Sequence, residues 1–460
     1  MAKRKTPQLF HNNPEALIAV SFFAAIAAGA LLLKLPFAAV SGRALSAVDA
    51  LFMATSATCV TGLSVVDIGS RLSLFGQLVL LGLVQIGGLG IMTFSLLFFM
   101  LLGRRVSLCG RYCMDTLSDE LDLDNFRFAL AKIFTVTAGV ELCGAVLLFA
   151  YLRHIHTLPG AVYSSIFHTV AAFCNAGFSL YHDNLGAFVQ HPYVQCVIMG
   201  LIIIGGLGFI VIDELMAWVA CRPGQVRSRL SLHSRVALTG TGLLIAGGTL
   251  GIWLLEKNNV LSGLAPPDQI ANAAFLSITS RTAGFNTLST GLLTNASLCV
   301  VIFLMFIGAC SGSTAGGIKI GTFFTLLSVM IARLKGQRSA SLFHRRLPEE
   351  TVDKAMIVFV VALLIIFIMV FALQMTEAAA LSRGQERGMF LNLLFEAVSA
   401  FGTVGLSTGV TPELSALGKM IIVLLMFVGR VGPLTLVVAL QVRKSRTLKY
   451  EYPQGDILIG

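Results

Sequence analysis

The chain has 460 residues, of which 56% are hydrophobic and 12% charged, and its formal net charge is +10. An ordinary soluble domain carries about 25% charged residues, so this composition excludes a soluble enzyme or binding module and makes lipid the solvent. Most Lys and Arg fall in five clusters, at 3–5, 104–132, 222–235, 333–354 and 443–449, all on one side when apolar spans are counted in pairs; this positive-inside pattern excludes a nucleic-acid patch and places both termini in the cytoplasm.

Along the chain, a basic N-terminus (1–15) leads into a first apolar helix at 16–34. Lys34 ends the run and no small-x-small site follows, so it reads as a spanning helix and not a signal peptide. A short segment at 46–58 follows, too brief to cross. Then come the loop Val60-Thr61-Gly62-Leu63-Ser64 and a long helix at 72–103, within an uncharged run from Arg71 to Arg104. The same order recurs with a helix at 129–151, a short segment at 162–174, Asn175-Ala176-Gly177-Phe178-Ser179, and a helix at 193–220. It recurs with 236–255, 269–281, Thr282-Ala283-Gly284-Phe285-Asn286 and 297–334, and again with 354–376, 389–402, Thr403-Val404-Gly405-Leu406-Ser407 and 416–442.

The central glycines stand 115, 107 and 121 residues apart, and period takes precedence over local detail. Ten residues before them stand Phe52, Phe167, Ala274 and Phe395. Further on, the second helices carry Ile86-Gly87-Gly88-Leu89-Gly90, Ile204-Gly205-Gly206-Leu207-Gly208, Ile307-Gly308-Ala309-Cys310 and Val428-Gly429-Arg430-Val431-Gly432-Pro433. The short segments must enter the membrane and return, which is tolerated only where backbone is buried in protein or lines water. The expected fold is therefore an all-α integral membrane protein of four pseudo-fourfold helix–pore loop–helix repeats, at 16–103, 129–220, 236–334 and 354–442. It has eight spanning helices, four re-entrant half-helices and a cytoplasmic tail at 443–460. Nine scattered cysteines read as small apolar fillers, Cys109 and Cys113 included, since their spacing is not that of a zinc knuckle.

Four glycine loops around an axis suit a bare cation. Potassium crosses only where something replaces its hydration shell, and rings of backbone carbonyls do so. Glycine lets a loop aim successive carbonyls inward at least steric cost. The expected filter is Val60, Thr61, Gly62, Asn175, Ala176, Gly177, Thr282, Ala283, Gly284, Thr403, Val404 and Gly405, with K+ held at backbone carbonyls and hydroxyls or an amide added by Thr61, Thr282, Thr403 and Asn175. Half-helix C-termini add a negative dipole end.

Two second helices depart from the pattern. The third is interrupted by Gly308, Ala309, Cys310, Ser311, Gly312, Ser313, Thr314, Ala315, Gly316, Gly317, Ile318 and Lys319, poor material for a lipid-facing helix. A nucleotide loop is excluded because Ile318 separates the last glycine from Lys319 and no strand precedes it. In the fourth helix, Arg430 stands where the first two have Gly88 and Gly206. A lone cation at that depth costs about 2.5–3.5 kcal/mol, and facing the axis it would repel cations and could dock on the 309–317 loop.

These features resemble the Trk/Ktr/HKT superfamily of potassium transporters over nearly the whole chain, and the length resembles KtrB-type membrane subunits more than the longer TrkH. The resemblance implies potassium uptake, an intramembrane gating loop at Gly308–Lys319 with Arg430 as a barrier, and Gly62 favouring potassium, since a serine there goes with sodium permeation in plant relatives. It implies a homodimer in a bacterial inner membrane and a cytoplasmic ring of nucleotide-binding regulatory subunits (KtrA/TrkA-like), with 222–235 and 333–346 as contact candidates and the tail 452–460 docked in the dimer interface. No cofactor is expected in this chain, the nucleotide being the partner's, and sodium is a candidate co-substrate or activator. The alternative is a less selective K+/Na+ channel or a Trk-type symporter.

Remaining ionisable residues are assigned structural roles. Glu396 and His168 stand nine before their glycines, matched with Met53 and Phe275. Arg281 is expected to pair with a carboxylate or helix end, while Asp67 and Asp183 could attract cations at the mouth. No nucleophile–base set or metal cluster suggests an enzyme, and same-side charge clusters argue against an inverted-repeat solute carrier.

Overall fold

The computed structural model describes residues 14–101, 123–220, 230–337, 339–378 and 383–432. The basic segment 3–5, the tail 443–460, the end of the fourth expected second helix, Cys109, Cys113 and most of 104–132 and 222–235 lie outside the described residues.

The first repeat runs α1 (Pro14–Leu33), half-helix α2 (Ala47–Thr58), the short α3 (Ile68–Arg71) and α4 (Leu74–Leu101). The second runs α5 (Leu123–Leu152), half-helix α6 (Leu158–Cys174), α7 (Pro192–Leu207) and α8 (Phe209–Val219). The third runs α9 (Leu232–Glu256), half-helix α10 (Pro266–Thr279), α11 (Asn295–Phe306) and α12 (Ile320–Leu334). A two-strand hairpin, β1 (Ser341–Leu342) and β2 (Arg345–Arg346), leads to α13 (Glu349–Ala378), half-helix α14 (Arg383–Gly402) and α15 (Ala416–Val431). Local chemistry marks the starts. Ser46, Ser231, Thr294 and Ser415 cap α2, α9, α11 and α15 through their side chains, and proline stands in the first turn of α6, α7 and α10.

At 12 and 14 residues, α2 and α10 reach about 18–21 Å, short of the ~30 Å hydrocarbon core. Among the described residues, unbroken helical stretches of 23 to 29 residues, apolar enough on average to cross a membrane, lie in α5, α9 and α13. Their outward faces are apolar and bare, as at Leu142, Leu243, Phe367 and Phe371, so the hydrophobic surface meets lipid. The buried side is continuous around the molecule. One cluster centres on the first two repeats and reaches Phe275 and Phe285, while the other centres on the last two and reaches Phe52 and Leu63. Each second helix packs on the next repeat's half-helix, α4 on α6, α7 on α10, α11 on α14 and α15 on α2, which closes a ring.

Two expectations change. The second helix of repeat two is not one piece at 193–220. It breaks at Gly208 (φ 82°), where α7 and α8 meet at 104°. The third half-helix ends at Thr279, two residues before its expected end at 281.

Candidate functional site

The four loops share one backbone shape. The residue two before each glycine is left-handed, with φ 56° at Val60, 60° at Asn175, 81° at Thr282 and 50° at Thr403. The glycines follow at 96°, 65°, 80° and 91° for Gly62, Gly177, Gly284 and Gly405. An extended strand points successive carbonyls to opposite sides; alternation of φ sign turns them to one side.

The glycines also explain why each loop has one. A Cβ on Gly62 would lie 2.3 Å from the Ala176 carbonyl oxygen and one on Gly177 2.7 Å from that of Ala283. On Gly284 it would lie 2.3 Å from that of Val404, and on Gly405 2.1 Å from that of Thr61. Each loop leans on the next and the fourth returns to the first, so the carbonyls of Thr61, Ala176, Ala283 and Val404 follow one another around a closed ring. The side-chain oxygens Thr61 Oγ1, Thr282 Oγ1, Thr403 Oγ1 and Asn175 Oδ1 are buried without a hydrogen-bond partner among the described residues.

The half-helices clamp this ring from behind. Thr61 N–H donates to the Ser56 carbonyl at 2.8 Å, Ala176 N–H to Ala171 at 2.8 Å, Val404 N–H to Ser399 at 2.8 Å and Gly284 N–H to Thr279 at 3.3 Å. Ser56 Oγ donates to the Leu63 carbonyl at 2.7 Å and Thr279 Oγ1 to that of Phe285 at 2.6 Å. Thr279 therefore occupies the place of Ser56 with one residue fewer before its glycine. This corrects the match of Ala274, because the fully buried layer is Phe52, Phe167, Phe275 and Phe395. The partner of Met53, His168 and Glu396 is then Leu276, not Phe275.

Those last positions have a common task, gripping the Ser two residues past the glycine. Met53 Sδ accepts from Ser64 Oγ at 3.5 Å, His168 Nε2 meets Ser179 Oγ at 3.1 Å, and Glu396 accepts from Ser407 Oγ at 2.5 Å as well as from Thr408 N–H and Thr411 Oγ1. In the third repeat, Asn286 bonds its own turn at the Leu288 carbonyl.

The interrupted segment lies beneath the ring. Gly308, Ala309, Cys310, Gly312, Ser313, Thr314, Ala315, Gly316 and Gly317 are buried, with Ser311 and Lys319 half-buried. Cys310 N–H donates to the Gly206 carbonyl at 3.1 Å, and Phe209 N–H to that of Gly312 at 3.2 Å. Thr314 Oγ1 accepts from Asn175 Nδ2 at 3.2 Å, and a Cβ on Gly316 would sit 2.3 Å from Thr403 Oγ1. Loops two and four face each other across the ring, so residues 314–316 cross the axis. Lys319 Nζ donates to the Ala315 carbonyl at 2.5 Å. Arg430, 3% exposed, donates to the carbonyls of Thr314 and, at 2.7 Å, Gly87. It thus ties the crossing segment to the first repeat. The neighbouring glycines 87, 205 and 429 seat the half-helix carbonyls of Thr58, Phe173 and Phe401, 2.0, 1.9 and 1.9 Å from a Cβ placed on them.

One expectation about charge is corrected. Among the described residues, Arg281 pairs with neither a carboxylate nor a helix end. Its Nη1 donates to the mid-helix Thr241 carbonyl at 3.1 Å, whose second lone pair is free to accept. Asp67 caps α3 through Gly69 and Ser70 N–H and meets His182 Nδ1 at 2.5 Å, so its oxygens also serve structure.

Several residues escaped sequence reasoning. Gln85 donates to both oxygens of Glu141 at 3.0 and 3.2 Å and accepts from Cys174 Sγ at 3.4 Å, just behind the second loop. Lys132 pairs with Asp213, holding α8 to α5. Glu256 accepts from Thr294 N–H and Oγ1, and Glu377 from Ser415 N–H and Oγ, each 38 residues away. That equal spacing was readable.

The family model described as TrkH, cation transport protein, matches residues 3–448. The chain is 39% identical over 462 residues to "Ktr system potassium uptake protein B" of Bacillus subtilis (strain 168), covering all of both chains. It is 37% identical over 462 residues to "Potassium/sodium uptake protein NtpJ" of Enterococcus hirae, covering 100% of this chain and 99% of that one. Its fold resembles the crystal structure of the potassium transporter TrkH from Vibrio parahaemolyticus, with a TM-score of 0.75 at 19% identity over 96% of this chain and 87% of that one.

Proposed function

We propose, on the premise that the chain belongs to the TrkH family of cation transport proteins, that it carries potassium into the cell through the ring of Gly62, Gly177, Gly284 and Gly405. The observation that carries this reading is the closed backbone ring, each glycine against the next loop's carbonyl. Oxygens around a ring can replace a cation's water shell. The Gly308–Lys319 segment and Arg430 act as the gate, because the segment crosses the axis under the ring and Arg430 adds a positive charge there.

The charge clusters support a multi-pass protein of a bacterial cytoplasmic membrane with both termini inside. The exposed hairpin residues Phe343, Arg345 and Arg346 suit contact with a cytoplasmic nucleotide-binding subunit. The homodimer belongs to this reading too, the relative in Bacillus being named as part of a Ktr system.

The test is cation flux in proteoliposomes of purified protein. Gly62→Ser is expected to lower the K+/Na+ flux ratio severalfold, and Arg430→Ala to raise total flux. A folded Gly62→Ser protein with an unchanged ratio excludes this ring as the filter. Similar K+ and Na+ fluxes through the unaltered protein would favour a less selective K+/Na+ path or a symporter, the reading that the Enterococcus relative's name supports.

A further inference from the structure

The crossing segment touches the filter loops unequally. Of the four residues two before the glycines, only Asn175 carries an amide, and only Asn175 has a hydrogen bond from its side chain to the segment, Nδ2 to Thr314 Oγ1 at 3.2 Å. Thr403, on the facing loop, meets Gly316 by contact alone and leaves Oγ1 unpartnered. Thr314 is held further by its own donors. Its N–H reaches the Gly205 carbonyl at 3.4 Å, and its hydroxyl lies between the carbonyls of Gly205 at 3.3 Å and Phe173 at 3.4 Å. Apart from Arg430, every hydrogen-bond partner of Thr314 among the described residues belongs to the second repeat. The other end of the Asn175 amide, Oδ1, is buried and has no hydrogen-bond partner among the described residues.

These facts give Asn175 two states. With the segment in place, its amide is pinned at one end. With the segment withdrawn, both ends are unpartnered at the ring's gate-facing edge. A buried amide left so is destabilised unless it finds a partner, and the partner that passes this point is a partly dehydrated cation.

We propose that the Asn175–Thr314 hydrogen bond makes cation selectivity depend on the position of the gate segment. Release of Thr314 unpins the Asn175 amide, so that it can turn its unpartnered oxygen toward passing cations. A mobile side-chain ligand in one loop of four adapts to an ion's size, where the braced carbonyl ring does not, so discrimination falls when the bond is absent. The inference rests on the filter and gate reading above.

The test is the K+/Na+ flux ratio and the total flux in proteoliposomes. Thr314→Val removes the hydroxyl and keeps the carbonyl that Arg430 uses. It is expected to raise flux and lower the ratio about fivefold, the scale of one neutral hydrogen bond. Thr314→Ser keeps the hydroxyl and should match the unaltered protein. Adding Asn175→Thr to Thr314→Val should restore the ratio while flux stays high, because no free amide remains; Thr282 and Thr403 show that threonine is held in this conformation. A merely structural role for the bond would not give that recovery. A wild-type ratio in Thr314→Val, or no recovery in the double variant, overturns the proposal. Thr314→Ala tests the same hydroxyl if the valine protein does not fold. Gly62→Ser measured alongside separates the two failures. If it too leaves the ratio unchanged, the filter reading is wrong; if it lowers the ratio, the coupling alone is.

Discussion

Left-handed backbone is a rare choice for a β-branched residue, yet Val60, Thr282 and Thr403 all adopt it. Each such residue costs about 1–3 kcal/mol and persists only where its surroundings fix it. Here the fixing is visible in the half-helix hydrogen bonds behind and the next loop's carbonyl alongside. The glycines were legible as repeated letters. The strain beside them was not, because valine and threonine give no sign of a positive φ.

At the molecular surface, the Asp67–His182 pair joins the first two repeats. Its hydrogen bond to Asp67, then the charges of Asp67 and Asp183, hold the His182 imidazole above its ordinary value. Burial pushes the Asp67 carboxyl up, but hydrogen bonds from His182, Ser70 and Gly69 outweigh that and hold it below the usual range. A raised imidazole value stabilises fully below about 6.5 and fades as pH rises through the raised value. A lowered carboxyl value stabilises above about 3.9 and fades as pH falls through the lowered one. The tie is therefore complete between about pH 4 and 6.5. In detergent, the melting-temperature gap between the unaltered protein and His182→Asn should be widest near pH 6 and narrow as pH rises through the raised imidazole value. A gap that stays constant over that range would deny the pair any titrating role.

At the scale of elements, identical letters gave different structures. Ile86-Gly87-Gly88-Leu89-Gly90 continues α4, whereas Ile204-Gly205-Gly206-Leu207-Gly208 ends α7 in a sharp bend. The difference is a tertiary partner: the Gly312 carbonyl takes Phe209 N–H, and that partner comes from another repeat. No local pattern could show it. The half-helix offset at Phe275 was hidden likewise, because one missing residue shifts the letters while hydrogen bonding restores the layer. The Glu256 and Glu377 caps are the converse, a signal present and unused. Each places a carboxylate at the start of a second helix, where the dipole favours it. Glu377→Ala should destabilise the protein by about 1–3 kcal/mol, and Glu377→Gln, which keeps an acceptor, by less. Chemical denaturation in detergent checks the order. Equal losses would mean that the charge at this helix start contributes nothing.

For the whole molecule, the four units and their common axis were legible because the period survives all local variation. The order of packing around the axis was not, since nothing in the letters says that α15 returns to α2. That closure includes an ion pair between Lys419 of the last repeat and Asp49 of the first, at 2.9 Å and partly buried. Lys419→Gln should lower stability by about 1 kcal/mol. The double exchange Lys419→Asp with Asp49→Lys should recover part of it. An exchange no better than the single change would show that the seam does not depend on this pair.

The backbone ring has a consequence for how the protein matures. Gly62 rests on Ala176, a residue made a full repeat later, and the oxygen that Gly405 meets belongs to Thr61, from the first repeat made. No partly synthesised chain can hold this geometry, because each incomplete set of loops has one glycine with nothing to rest on. The closed ring is therefore complete only once the fourth half-helix stands beside the other three.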